Sequence, residues 1–341
     1  MIQRTIQTVE TQNQPQDWKS LLKASRISTT ELLQTLKLNE HPLANTSAEK
    51  LFELRVPKPY LDKIKRGDPN DPLLLQVLPQ SYEHLDVDGY SNDPLEEKKF
   101  SPTPGLIHKY QSRVLLIATQ SCAIHCRYCF RRNFPYDEHR VARNNWGSAI
   151  EYIQSHPEIN EVILSGGDPL VLTNEHLRSL LHQVVAIQHV KRIRLHSRLI
   201  STLPQRIDEE FLSLLRGLDT KVVIVMHCNH ANEIGPDVAL AAAQLREVGA
   251  VLLNQSVLLK DINDDAAVLA QLSESLFTIG VIPYYLFTLD KVHGTAHFDL
   301  ARSSARQIHQ KLQTLLPGYL VPRLASEIPN QPSKTLLASC N

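Results

Sequence analysis

The chain has 341 residues, 42% apolar and 21% charged, with Lys+Arg and Asp+Glu each counting 36. That is the balance of an ordinary soluble globular protein, with no global basic field for nucleic acid and no apolar run of the roughly 18 residues that span a bilayer. The first residues, MIQRTIQTVETQNQPQDW, hold no apolar leader, and five cysteines are too few for a disulfide scaffold, so the cytoplasm is the expected compartment.

Residues 1–100 read as an interrupted helical region. QDWKSLLKASR, TTELLQTLKL and SAEKLFELR place apolar residues at helical spacing, while RGDPNDP and SNDPLEEKKFSPTPG break it with Pro, Asp and Asn. Near residue 110 the rhythm changes. Apolar, β-branched runs predict strands at 113–119, 161–166, 192–197, 221–227, 250–258 and 282–287. Between them WGSAIEYIQ, EHLRSLLHQVVAI, EEFLSLLRGL, DVALAAAQLREV and AAVLAQLSESLFTIG carry the helical period, and RQIHQKLQTLL follows the sixth strand. Such alternation predicts βα units and a parallel sheet. The expected divisions are a helical region over 1–100, a core over 101–300 and a C-terminal segment over 301–341.

A parallel sheet is either doubly wound or a barrel. Here the polar stretches all follow strands: the cysteines after the first, SGGDP (165–169) after the second, then HSR (196–198), MHCNHANE (226–233), NQS (254–256) and LDKVHG (289–294). In a TIM-like barrel those strand ends converge on one mouth, whereas an open sheet spreads them along an edge. No G-x-G-x-x-G follows the first strand. The expected fold is therefore α/β, a partial (β/α)6 TIM-like barrel, its open side covered by the N-terminal helices.

CAIHCRYC (122–129) spaces three cysteines as C-x3-C-x2-C. Three thiolates on one iron–sulfur cubane leave one iron open for a small molecule. Zinc is the alternative, with His125 or a distant cysteine as fourth ligand.

CAIHCRYC followed by SGGDP after the second strand resembles the radical S-adenosylmethionine (SAM) signature. That resemblance implies a [4Fe–4S] cluster on Cys122, Cys126 and Cys129, with SAM on the unique iron and Ser165, Gly166, Gly167 and Asp168 around its methionine amino group. Cys228 and Cys340 are left unligated. From about 100 to 335 the chain is similar to the lysine 2,3-aminomutase family, through DPLEE, PGLIHKYQSRVLL, CRYCFRR, SGGDPL, NHANE, NQSVLLKDIND, PYYL, LDKVHGTAHF and GYLVP. The family adds pyridoxal phosphate (PLP). The likeness implies Lys334 in NQPSKT as its Schiff-base lysine, and Lys109, Tyr110 and Arg113 at its phosphate. It implies Arg131 at the substrate carboxylate, with Asp290 and Glu327 at the far ammonium of lysine, Glu327 standing where the family has Asp. Two acids at that end favour lysine over glutamate. His227 and Gln255 are candidate SAM contacts; His196, Arg198, His230 and Asn232 are equally suited to structural hydrogen bonds.

The implied reaction cleaves SAM with an electron from the cluster, takes hydrogen from C3 of lysine held on PLP, and moves nitrogen from C2 to C3. The clostridial members carry a cysteine for structural zinc where this chain has Asp265, so no such zinc is expected. The short form with PSKT resembles the bacterial branch that makes (R)-β-lysine for elongation factor P. The expected partners are free L-lysine, a low-potential electron donor such as flavodoxin and, functionally, the elongation factor P lysyl-ligase. Nucleic acid and membrane are not expected; a homo-oligomer is possible. The rivals are an arginine or glutamate aminomutase and a non-catalytic iron–sulfur sensor.

Overall fold

The computed structural model describes residues 17–38, 40–133 and 146–337. Cys340 lies outside them. The N-terminal region is built of short helices: α1 (Trp18–Lys23), α2 (Thr29–Thr35), α3 (Thr46–Leu51), α4 (Lys58–Leu61) and α5 (Pro72–Leu75). Their starts are set by side chains that accept from otherwise unpaired backbone N–H groups. Ser28 caps α2, Asn45 caps α3 and Asp71 caps α5.

The core is one nine-stranded sheet whose spatial order follows the chain. The strands are β1 (Leu106–Tyr110), β2 (Arg113–Thr119), β3 (Glu161–Gly166), β4 (Arg192–Ser197), β5 (Lys221–His227), β6 (Val251–Val257), β7 (Ile282–Phe287), β8 (Arg323–Ser326) and β9 (Thr335–Leu336). Strands β2 to β8 pair in parallel, each with its successor in sequence. A sequential parallel order has no switch point, so the barrel expectation holds over the doubly wound one. β1 and β9 run antiparallel at the two ends.

The remaining helices are α6 (Gly147–Gln154), α7 (Asn174–Val185), α8 (Leu199–Thr202), α9 (Glu209–Arg216), α10 (Pro236–Glu247), α11 (Ala266–Thr278) and α12 (Arg302–Leu315). All the expected strands and helices of the core are present. Three strands were not expected: β1, β8 and β9. Asp265 serves as the N-cap of α11, accepting from Ala267 N at 2.7 Å and Val268 N at 3.3 Å.

The two-residue period of the strands sorts side chains between core and mouth. In β3, Val162 and Leu164 join the apolar core with helix residues such as Leu177 and Leu181, while Ile163 and Ser165 line a cavity. In β4, Ile193 and Leu195 face the core, and Arg194 and His196 the cavity. The N-terminal helices build a second core of Leu32, Leu36, Leu54, Tyr60, Leu73 and their neighbours, which includes Ile124 of the cysteine loop. No helix of the described residues is long and apolar enough to cross a membrane.

Candidate functional site

The cavity encloses about 280 Å³ at the C-terminal strand ends. Its wall carries Cys122, Cys126, Cys129, Arg131, Lys109, Tyr110, Arg113, Ser165, Gly166, Gly167, Asp168, His227, Gln255, Asp290, Glu327 and Lys334, so every site residue expected from the sequence meets there. His196 and Arg198 also line it. His230 and Asn232 instead form a cap on the single turn Ala231–Glu233, where Asn232 N donates to His230 Nδ1 at 3.1 Å.

The cysteine loop is held from two sides. From the N-terminal region, Arg55 O accepts from His125 N at 3.0 Å and Gln76 O from Arg127 N at 2.9 Å. Arg127, fully buried, pairs with Glu83, which also takes Arg132 Nη2 at 2.6 Å. From the sheet, Gly167 N donates to Thr119 O at 2.7 Å and Asp168 N to Ser121 O at 2.9 Å. A side chain on Gly167 would put Cβ 2.3 Å from Ser121 O, and Gly166 sits at φ +112 with only 2.5 Å to Thr119 O. Both glycines let the backbone close on the loop.

Asp168 also has a structural task. Its carboxylate accepts from Leu170 N, Ser197 Oγ, Arg198 N and Leu199 N at 2.7–3.2 Å, bracing the start of α8. Burial pushes it up to about 6 against the pull of those donors.

Arg131 is tied to the wall by the protein: Nε and Nη2 donate to the two oxygens of Glu97 at 2.9 and 2.8 Å, and Nη1 reaches Ser165 Oγ at 3.2 Å. Both partners of this pair are buried. Sequence reasoning missed Glu97, because an acid in EEKK reads as a solvated charge.

Glu327 gathers the groups expected around PLP. Oε2 takes Lys334 Nζ at 2.5 Å, Oε1 takes Tyr110 Oη at 2.7 Å, and Lys109 Nζ lies 3.8 Å away. Burial raises the Glu327 carboxyl, but Lys334 above all pulls it below the usual range. Lys109 donates to Leu95 O at 2.9 Å. Arg113 lies over the Tyr110 ring at 4.3 Å. Asp290 is pushed up to about 7 by burial and by Glu327, with Lys334 opposing. His227 Nε2 is 3.3 Å from His196 Nδ1, and burial holds both rings neutral, His227 down to about 3.

Residues 116–265 match the radical SAM superfamily model. An L-lysine 2,3-aminomutase of Escherichia coli K12 is 49% identical over 324 residues, 94% of each chain. The chain belongs to the lysine 2,3-aminomutase family. The Haemophilus influenzae member is 48% identical, covering 95% of this chain and 96% of its own. The Clostridium subterminale member is 35% identical over 94% of this chain and 77% of its own.

A radical SAM protein holds a [4Fe–4S] cluster and SAM, and the donor set here fits the cluster. Three thiols on one loop line one cavity, and burial pushes each of them up, Cys129 to about 11. Cationic iron relieves that cost. The buried Cys228 thiol donates to His230 O at 3.4 Å.

Proposed function

We propose that this protein is a lysine 2,3-aminomutase that holds PLP beside its cluster and SAM and converts (S)-α-lysine to (R)-β-lysine for attachment to elongation factor P. The observation that carries this is a single cavity wall bearing the three cysteines together with Lys334, the Lys109–Tyr110–Arg113 group, Asp290 and Glu327. When bound, the cluster and SAM supply one-electron chemistry for C–H cleavage, and PLP supplies the π system across which nitrogen moves.

The chain's own residues bind and orient. The Lys334 amine is the tether for PLP, and Glu327 fixes its direction at 2.5 Å. Lys109, Tyr110 and Arg113 supply two cations and a hydroxyl, the kinds of group that a phosphate needs. Glu97 sets the plane of the Arg131 guanidinium, and a substrate carboxylate would meet its charge at the edge that Glu97 does not hold. Burial pushes the Asp290 carboxyl up to about 7, and an ammonium beside it would favour the ionised form. Cavity walls such as Ile163, Phe287 and Leu289 keep water from the reacting carbons. A low-potential donor such as flavodoxin supplies the electron.

The test is anaerobic reconstitution with iron, sulfide, PLP and SAM, followed by lysine, a reductant and chiral analysis of the product. (R)-β-Lysine is expected. Turnover of arginine or glutamate with none of lysine would move the chain to a rival substrate. (S)-β-Lysine would keep the aminomutase and remove the link to elongation factor P.

A further inference from the structure

Behind Cys126 and Tyr128 lies a buried polar network that neither the cluster ligands nor the substrate groups account for. At its centre is Arg198, the residue after β4, only 6% exposed. Its Nη2 donates to Gln76 Oε1 at 2.8 Å and lies 3.5 Å from both Tyr60 Oη and Glu233 Oε2. Its Nε is buried with no partner. Its guanidinium carbon stands 5.5 Å from the centre of the Tyr128 ring. The same Gln76 Oε1 also takes Asn229 Nδ2 at 3.1 Å, and Asn229 Nδ2 reaches Tyr128 Oη at 2.6 Å.

A buried cation needs a counter-charge. Glu233 is the only carboxylate paired with Arg198 among the described residues, and the contact is loose at 3.5 Å. Glu233 spends its oxygens elsewhere: Oε1 takes Asn229 N at 2.9 Å and His230 N at 3.2 Å, and Oε2 takes Ser201 Oγ at 3.1 Å. Arg198 shares the cavity wall with Cys126, and Tyr128, whose ring it faces, lies two residues further along the same loop. The cation has one loose carboxylate partner and lines the same cavity wall as Cys126, over the ring of Tyr128 in the cysteine loop.

We infer that Arg198, with Glu233 as its counter-ion and Gln76 as its anchor, is a positioning residue that sets the reduction potential of the cluster through charge placed against Cys126. This rests on Cys126 being a cluster ligand. A cubane on three thiolates is an anion, and reduction adds one more negative charge. A fixed cation in a low-dielectric wall stabilises the reduced form more than the oxidised one and raises the potential.

The experiment is a potentiometric titration of the anaerobically reconstituted full chain, followed by electron paramagnetic resonance in the absence of SAM, with iron and sulfide counted per chain. Arg198→Gln should hold a full cluster and titrate at a more negative potential. Arg198→Lys, which keeps the charge, should stay close to the parent. Glu233→Gln, which keeps the shape and removes the counter-charge, should titrate at a more positive potential. Opposite shifts in the Gln variants, with full clusters, support the inference. Parental potentials in both, or shifts of the same sign, overturn it. So does an unchanged potential with weakened SAM binding, which would assign Arg198 to SAM. If Arg198→Gln does not load, Glu233→Gln decides alone: a rise supports, and a fall or no change overturns. A Cys126→Ala chain that retains a full [4Fe–4S] cluster would instead remove the ligand assignment beneath it.

Discussion

At the scale of residues, the site is governed by who shares a charge with whom. Truncating Asp290 would leave the substrate ammonium short of a buried partner, worth roughly 3–5 kcal/mol. Asp290→Ala should therefore lower kcat/KM for lysine by about 10²-fold or more, with iron content unchanged; near-parental efficiency would place the ammonium elsewhere. The same residue gives a pH signature. Its folded pKa, about 7, stands above the ordinary carboxyl value, so the native state holds a proton that the unfolded chain has released. Its contribution to stability is full below about pH 4 and is lost as pH rises through 7. Asp290→Asn should thus gain thermal stability over the parent as pH goes from 5 to 8, checked by melting temperature at each pH. A constant difference would mean that Asp290 is ionised throughout. Lys334→Ala should lose the borohydride-trapped PLP adduct and keep its iron. An adduct mapped to another lysine would reassign the tether.

At the scale of elements, the segment after β3 is a clamp on the cysteine loop. Gly167→Ala would drive Cβ to 2.3 Å from Ser121 O, an overlap that costs about 1–3 kcal/mol if the backbone yields. The expected result is a lower melting temperature and less iron per chain. Gly318→Ala, where a Cβ meets nothing within 4 Å, is the control. Equal iron in the two variants would show that the loop does not depend on the clamp. A motif such as SGGDP records which residues are required, and the backbone's close approach to the loop is a requirement on the glycines that only the fold displays. The core strands were readable for a physical reason: buried β-branched runs are dense and local, and polar residues at their C-terminal ends mark the mouth. β8, four residues long, and β9, two residues long, are too short for a period to show. The cysteine spacing is local, so the cluster could be read. The pairing of Tyr110 with Glu327 spans 217 residues, and that of Arg131 with Glu97 spans 34. Such pairs exist only once the sheet has brought the segments together.

At the scale of the whole molecule, one buried acid of the N-terminal region ties down two arginines of the cysteine loop. Glu83 holds Arg127 and Arg132 together. Glu83→Gln leaves two buried cations without their shared anion and should cost about 3–5 kcal/mol. Its melting temperature should fall, and its cluster content with it. Full iron at an unchanged melting temperature would show that the N-terminal region does not support the loop. The sheet's two ends have a further consequence. Seven strands run in one direction, and each flank is closed by a strand running the other way, the last only two residues long. A neighbouring molecule therefore finds no long parallel template to extend. The same ladder that carries the chemistry at its mouth is guarded along its flanks against becoming a seed for aggregates, a protection that a chain truncated before Thr335 would lose on one side.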